Sequence, residues 1–134
     1  MTWLLDVNAL IAALFAAHEH HPRMSAWLET LPSEDALATC SITELGYVRI
    51  LNQAPQYRVE VRESVKTLAR FRRQSKRRVV FLPDERGAVD LPSWVRTGRQ
   101  TIDGHLLGLS AARGARLATL DQGIPGAFLI PPTP

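Results

Sequence analysis

Polar and apolar positions follow two rhythms along the chain, short unbroken apolar runs and longer stretches with apolar residues three or four apart. Trp3-Leu4-Leu5 is such a run, closed by Asp6, and Leu10, Ile11, Leu14 and Phe15 then recur at helical spacing. The pattern predicts strand, turn and helix. After the polar break His18-Glu19-His20-His21-Pro22, a second amphipathic helix carries Met24, Trp27, Leu28 and Leu31 and is stopped by Pro32. Ala36 to Cys40 is a small-residue strand, and Ser41-Ile42-Thr43-Glu44 opens a helix with Leu45, Val48 and Leu51. Another helix is predicted from Arg58 to Arg73 through Val61, Val65, Leu68 and Phe71, followed by a basic turn and the strand Val79-Val80-Phe81-Leu82.

Residues Pro83 to Gly98 carry little periodicity and support at most a short helix from Ala88 to Arg96. Thr101 starts a clear helix with Ile102, Leu106 and Leu109 on one face, and Gly114 stops it. Leu117 to Leu120 is a strand ending at Asp121, and Phe128 to Ile130 is a last strand before the proline tail. Strands that alternate with helices predict an α/β fold with parallel strands covered on both faces. Neither an internal repeat nor a linker interrupts it.

The length of 134 residues and the 46% hydrophobic content suit one domain with one core over residues 1–134. A formal charge of +3 and a pI near 9.6 make a polyanionic partner conceivable without establishing one. Cys40, the single cysteine, excludes an internal disulfide framework and a cysteine-based zinc cluster and fits a reducing compartment. The amino end does not read as a signal peptide, because Asp6 interrupts its apolar stretch and no Lys or Arg precedes it; no membrane-length run follows, and the expected location is the cytosol.

The acids change the picture most. Asp6 and Asp121 follow apolar strands, and in a parallel sheet the carboxyl ends of the strands share the edge where ligands bind. Glu44 and Asp103 stand in the first turns of helices that begin near that edge. Four converging carboxylates would repel one another unless a cation offset them, and an all-oxygen set suits Mg²⁺ or Mn²⁺. Each acid also has a bland role. Asp6 or Asn8 could cap a helix, Asp121 could form a turn with Gln122-Gly123, and Asp103 could complement a helix dipole behind a Thr101 cap. Glu44 could close a capping box with Ser41, a role that competes directly with metal binding.

Four segments together, LLDVNALIA at 4–12, SITELGYVRIL at 41–51, TIDGHLLGLSAARG at 101–114 and LATLD at 117–121, resemble the PIN-domain ribonucleases, and among them the VapC-type toxins of bacterial toxin–antitoxin pairs. Between them, 53–98 matches in length and in FLPD at 81–84. The resemblance implies a three-layer α/β/α sandwich with a central parallel β-sheet and a Mg²⁺-dependent endoribonuclease, with Mn²⁺ as a substitute. Its acids would be Asp6, Glu44, Asp103 and Asp121, with Asn8 and Thr119 as polar residues orienting ligands or water beside them. It further implies products with a 5′-phosphate and a 3′-hydroxyl, tRNA or other structured RNA as substrate, a VapB-like antitoxin partner and a homodimer. Gly104 stands where alanine is more usual, and Ser110 interrupts an apolar stripe.

Other groups weigh less. His18, His20 and His21 read as a solvated turn, and His105 as a packed or rim histidine. Arg70, Arg72, Arg73, Lys76, Arg77 and Arg78, together with Arg96, Arg99, Arg113 and Arg116, form two basic clusters that could meet RNA phosphates. The apolar stripe of Leu10, Leu14, Phe15, Met24, Trp27 and Leu28 reads mostly as core; the resemblance implies that part of it is exposed, as a groove for an antitoxin peptide and a homodimer contact. Two rival functions remain. A non-catalytic PIN-like module would hold RNA or protein without cutting. A haloacid-dehalogenase-like phosphatase would use Asp6 as nucleophile, but it would want an acid where Asn8 stands and a lysine near the site, whereas Lys66 and Lys76 lie outside the strand-end motifs.

Overall fold

The computed structural model describes residues 1–133, so residue 134 of the expected domain lies outside the described residues. Five parallel strands form one sheet in the order β3-β2-β1-β4-β5, with β1 at Thr2–Leu5, β2 at Ala36–Thr39, β3 at Val79–Phe81, β4 at Arg116–Thr119 and β5 at Phe128–Leu129. Leu5 of β1 lies opposite Ala118 of β4 in the register. The helices are α1 (Val7–Leu14), α2 (His21–Thr30), α3 (Ser41–Gln53), α4 (Val61–Gln74) and α5 (Thr101–Ala112).

Alternation along each strand divides the core in two. Trp3, Leu5, Leu37 and Ala118 face one layer with Leu10, Met24, Trp27, Tyr47 and Leu68 of helices α1 to α4. Leu4, Ala38 and Leu117 face the other with Leu106 and Leu109 of α5. The result is the expected three-layer α/β/α sandwich. Both sheet faces are covered, which is why these strands read as continuous apolar runs.

Three local readings change. Between β3 and α5 the only helical pieces are 3-10 turns at Ala88–Asp90 and Gly98–Gln100, not a helix over 88–96. Helix α4 starts at Val61 rather than Arg58, because Arg58 turns the chain with φ of 50°. Val61 and Val65 on α4, Leu45 on α3 and Ile102 on α5 are exposed, although their spacing placed them with the core. The stripe on α1 and α2 is core at Leu10, Met24 and Trp27, while Leu14, Phe15 and Leu28 are half-buried against it.

Gly114 ends α5 with φ of 68°, a left-handed position at which glycine is unstrained. Gly104 is needed for a different reason. A Cβ there would press into Cγ2 of Val95 and lie 3.3 Å from Cδ of Pro92, so the 91–95 segment sits directly on α5. Gly104→Ala is therefore expected to destabilise the chain by about 1 kcal/mol, overpacking outweighing the better helix propensity of alanine. Urea denaturation of Gly104→Ala, and of the double variant with Val95→Ala, checks this: the second substitution should restore the loss.

Candidate active site

The strand order reverses between β1, whose connection runs toward β2, and β4, whose connection runs toward β5. At such a switch point the loops leave in opposite directions and open a crevice at the carboxyl edge of the sheet. Asp6 stands there directly after β1, with Asp121 just beyond β4.

Asp6 is buried and held at both oxygens. Oδ1 accepts the Ala9 amide at 2.8 Å and so caps α1, while Oδ2 accepts the Thr119 hydroxyl at 2.5 Å. Capping and a site role are thus compatible for this residue. Burial, and then the charges of Asp103 and Asp121, overcome these hydrogen bonds and push its pKa up to about 6. Burial and the charge of Asp121 raise Asp103 as well. Thr119, fully enclosed, also accepts the Asp121 amide at 2.9 Å, so one hydroxyl ties the ends of β1 and β4 together. Asp121 is exposed, and its Oδ1 accepts the Gly123 amide at 2.8 Å, the turn role expected of it.

Glu44, in the first turn of α3 after β2, has contacts of its own and lines a groove between α3 and α4 with Val48, Val65 and Arg72. The capping box at the start of α3 is made without it: Cys40 is the N-cap, and its amide donates to Oγ1 of Thr43 at 3.0 Å. Ser41 is already helical, which leaves the Glu44 carboxylate free of the box. Its Oε2 instead accepts the Thr39 hydroxyl at 2.5 Å and lies 3.8 Å from Nε of Arg72. The Arg72 guanidinium sits over the Phe81 ring, 4.7 Å from its centroid. Thr101 is not a cap either; it is the first residue of α5 and donates to the Gly98 carbonyl.

Asn8, exposed on α1, borders a cleft of about 350 Å³ with Asp121, His18, His20 and Tyr57. His18 and His20, read from sequence as a solvated turn, are therefore neighbours of Asp121. No sequence signal reveals this, because the turn meets Tyr57 only through the fold. His21 is different: its Nδ1 lies 2.6 Å from the Ala12 carbonyl, a structural contact within the helical layer. His105 pairs with Asp84 at 2.5 Å and fastens α5 to the segment after β3.

The donor set decides what the crevice can hold. Asp6, Asp103 and Asp121 offer only oxygens, and among the described residues none of them forms an ion pair with a Lys, Arg or His. An all-oxygen set that lacks a cationic partner fits a hard divalent ion, whose charge would offset that of the carboxylates. Among the described residues no three His, Cys, Asp or Glu side chains already surround one point, so binding would draw the half-buried Asp103 and exposed Asp121 inward.

Comparison with known proteins agrees with this architecture. The PIN-domain family model matches residues 3–127. The ribonuclease VapC38 of Mycobacterium tuberculosis is 36% identical over 124 residues, covering 90% of this chain and 86% of the relative. The ribonuclease VapC29 of the same organism is 34% identical over 139 residues, covering 99% of both. Two crystal structures share the fold at lower identity. The sarcin–ricin-loop-cleaving toxin VapC20 of Mycobacterium tuberculosis has a TM-score of 0.62 at 14% identity, covering 98% of this chain and 99% of that one. VapBC2 of Rickettsia felis, bound to a DNA fragment from its promoter, has a TM-score of 0.61 at 17% identity, covering 96% and 97%. With its sheet order, its strand-end acids and these full-length relatives, the chain belongs to the PIN-domain family, within its VapC-type branch.

Proposed function

We propose that this chain is a divalent-metal-dependent endoribonuclease toxin, with Asp6, Glu44, Asp103 and Asp121 as its metal-binding acids and Asn8 and Thr119 as positioning groups. The observation that carries the reading is the meeting of Asp6 and Asp121 at the carboxyl ends of the adjacent strands β1 and β4, tied through the Thr119 hydroxyl, with no cationic side chain paired to either among the described residues. A bound Mg²⁺ or Mn²⁺ ion would offset the phosphodiester charge and acidify the attacking water. The chain's own contribution is placement. The Ala9 amide and the Thr119 hydroxyl fix both oxygens of Asp6, so this carboxylate needs no reorientation. The Thr39 hydroxyl aims Glu44, and Arg72 beside it can take up a substrate phosphate when Glu44 turns to the ion.

The exposed Arg70, Arg73, Lys76, Arg78, Arg96 and Arg99 remain available to the RNA backbone. Other basic residues of the two clusters are engaged within the fold. Arg77 holds carbonyls after α2, Arg113 donates to the Pro83 carbonyl, and Arg116 lies over the Trp3 and Phe128 rings. The proposed substrate is tRNA or another structured RNA. The proposed partner is a VapB-type antitoxin, with a homodimer as the assembly and the cytosol as the location. Exposed Leu45, Val61 and Val65 provide apolar surface for such contacts. Among the described residues no helix is long and apolar enough to cross a membrane.

Incubation of the purified chain with a total tRNA pool tests the function. Discrete fragments with Mg²⁺ or Mn²⁺, abolished by EDTA, are the expected result. Intact RNA in every metal, together with retained RNA binding, would favour a non-catalytic PIN-like module.

A further inference from the structure

The His18–His20 turn shares a cleft with Asp121 and is left unused by metal chemistry. The rings of His18 and Tyr57 are near-parallel, with centroids 6.5 Å apart and planes 17° apart, and the His20 ring centroid is 5.7 Å from that of His18. Tyr57 is braced from behind by an edge contact to Phe15 at 5.1 Å. The His20 amide donates to Nδ1 of His18 at 3.0 Å, which puts the proton of the neutral ring on Nε2, and among the described residues that donor has no partner. Burial and the neighbouring His20 lower the His18 pKa, so the neutral ring prevails at pH 7.

The cleft in front of these rings, about 350 Å³, falls within the size range of small-ligand sites, roughly 300–1,000 Å³. Its charge says which part of a nucleic acid suits it. Glu19 and Asp121 line it and no Lys or Arg does, so a phosphate is disfavoured. A flat neutral ring is favoured, because it can stack on these aromatic faces and meet the Asn8 amide with its edge.

We infer that the cleft bounded by Asn8, His18, Tyr57 and Asp121 is a subsite for one unpaired nucleobase of a single-stranded RNA segment, adjoining the carboxylates. This rests on the ribonuclease reading and adds to it that the target must expose an unstacked base beside the scissile phosphate. The metal ligands leave base identity unread, whereas this cleft contacts a base face and edge. Selection of an RNA loop over a duplex then follows from the chain itself.

A short single-stranded RNA carrying one 2-aminopurine, titrated in EDTA so that no cleavage intervenes, tests the subsite, because stacking quenches that base. The wild-type chain should quench it saturably. His18→Ala and Tyr57→Leu should each weaken binding about tenfold, as loss of a base–aromatic stack does, while Tyr57→Phe keeps the wild-type affinity. No saturable quenching by the wild-type chain, or unchanged affinity in His18→Ala, overturns the subsite. The His18 variant, in a surface turn, covers the case in which Tyr57→Leu fails to fold. Quenching by a chain that cleaves no RNA with Mg²⁺ or Mn²⁺ would retire the ribonuclease reading alone; cleavage with unchanged affinity in His18→Ala would retire the subsite alone.

Discussion

Asp6→Asn is expected to abolish RNA cleavage and to make the chain more stable. With Asp6 in its proposed metal-binding role, loss of the carboxylate removes several kcal/mol of transition-state stabilisation, so cleavage should fall by about a thousandfold or more. The stability gain follows from burial. With the Asp6 carboxyl at about 6 in the fold against an ordinary value of 3.8, folding favours the protonated form. The stability from this group is therefore complete below the unfolded value and is lost as pH rises through about 6. At pH 7 the ionised carboxylate costs the fold on the order of 3 kcal/mol, and asparagine, which still accepts the Ala9 amide, should recover about 1–2 kcal/mol of it.

Thermal melts in EDTA at pH 4.5 and pH 7.5 separate this from a simple capping role. The wild-type chain should lose stability between the two pH values by more than Asp6→Asn does, and added Mg²⁺ should raise the wild-type midpoint at pH 7.5 while leaving the variant unmoved. Equal stability of the two proteins at pH 7.5, with no response to Mg²⁺, would reduce Asp6 to an N-cap.

The sheet and the strand-end acids were legible because both are local signals. Apolar runs closed by Asp6 and Asp121 require only that strands be buried on two faces and that their carboxyl ends share one edge. What stayed hidden depends on partners remote in sequence. The start of α3 misled because Ser41-Ile42-Thr43-Glu44 has the form of a capping box, while the chain turns one residue earlier, at Cys40, and Thr43 closes the box. Val61 and Val65 keep the helical spacing of core residues, yet only Leu68 and Phe71 reach the sheet layer once Arg58 has turned the chain. His18 gives no sign in sequence that its ring meets Tyr57 across 39 positions.

Arg77→Ala is the expected loss of largest size away from the acids, and it tests whether the basic turn serves RNA or the fold. Sequence placed Arg77 with its neighbours as a candidate phosphate contact. In the fold its Nη1 donates to the Pro32 and Asp35 carbonyls and its Nη2 to those of Leu28 and Leu31. These carbonyls belong to the end of α2 and the turn into β2, where a helix leaves acceptors without partners of its own. One planar fork thus fixes the entry of β2, and with it the strand next to β1. Charge-assisted hydrogen bonds contribute about 1.5–3 kcal/mol each but not additively, so Arg77→Ala should cost about 3 kcal/mol and lower the melting midpoint by roughly 10 °C. Lysine cannot form the fork, and Arg77→Lys should recover only part of the loss. Cleavage by the folded fraction should keep its rate and its salt dependence. If the midpoint holds while RNA affinity falls and the salt slope shrinks by about one, the guanidinium belongs to the RNA interface and not to the α2–β2 turn.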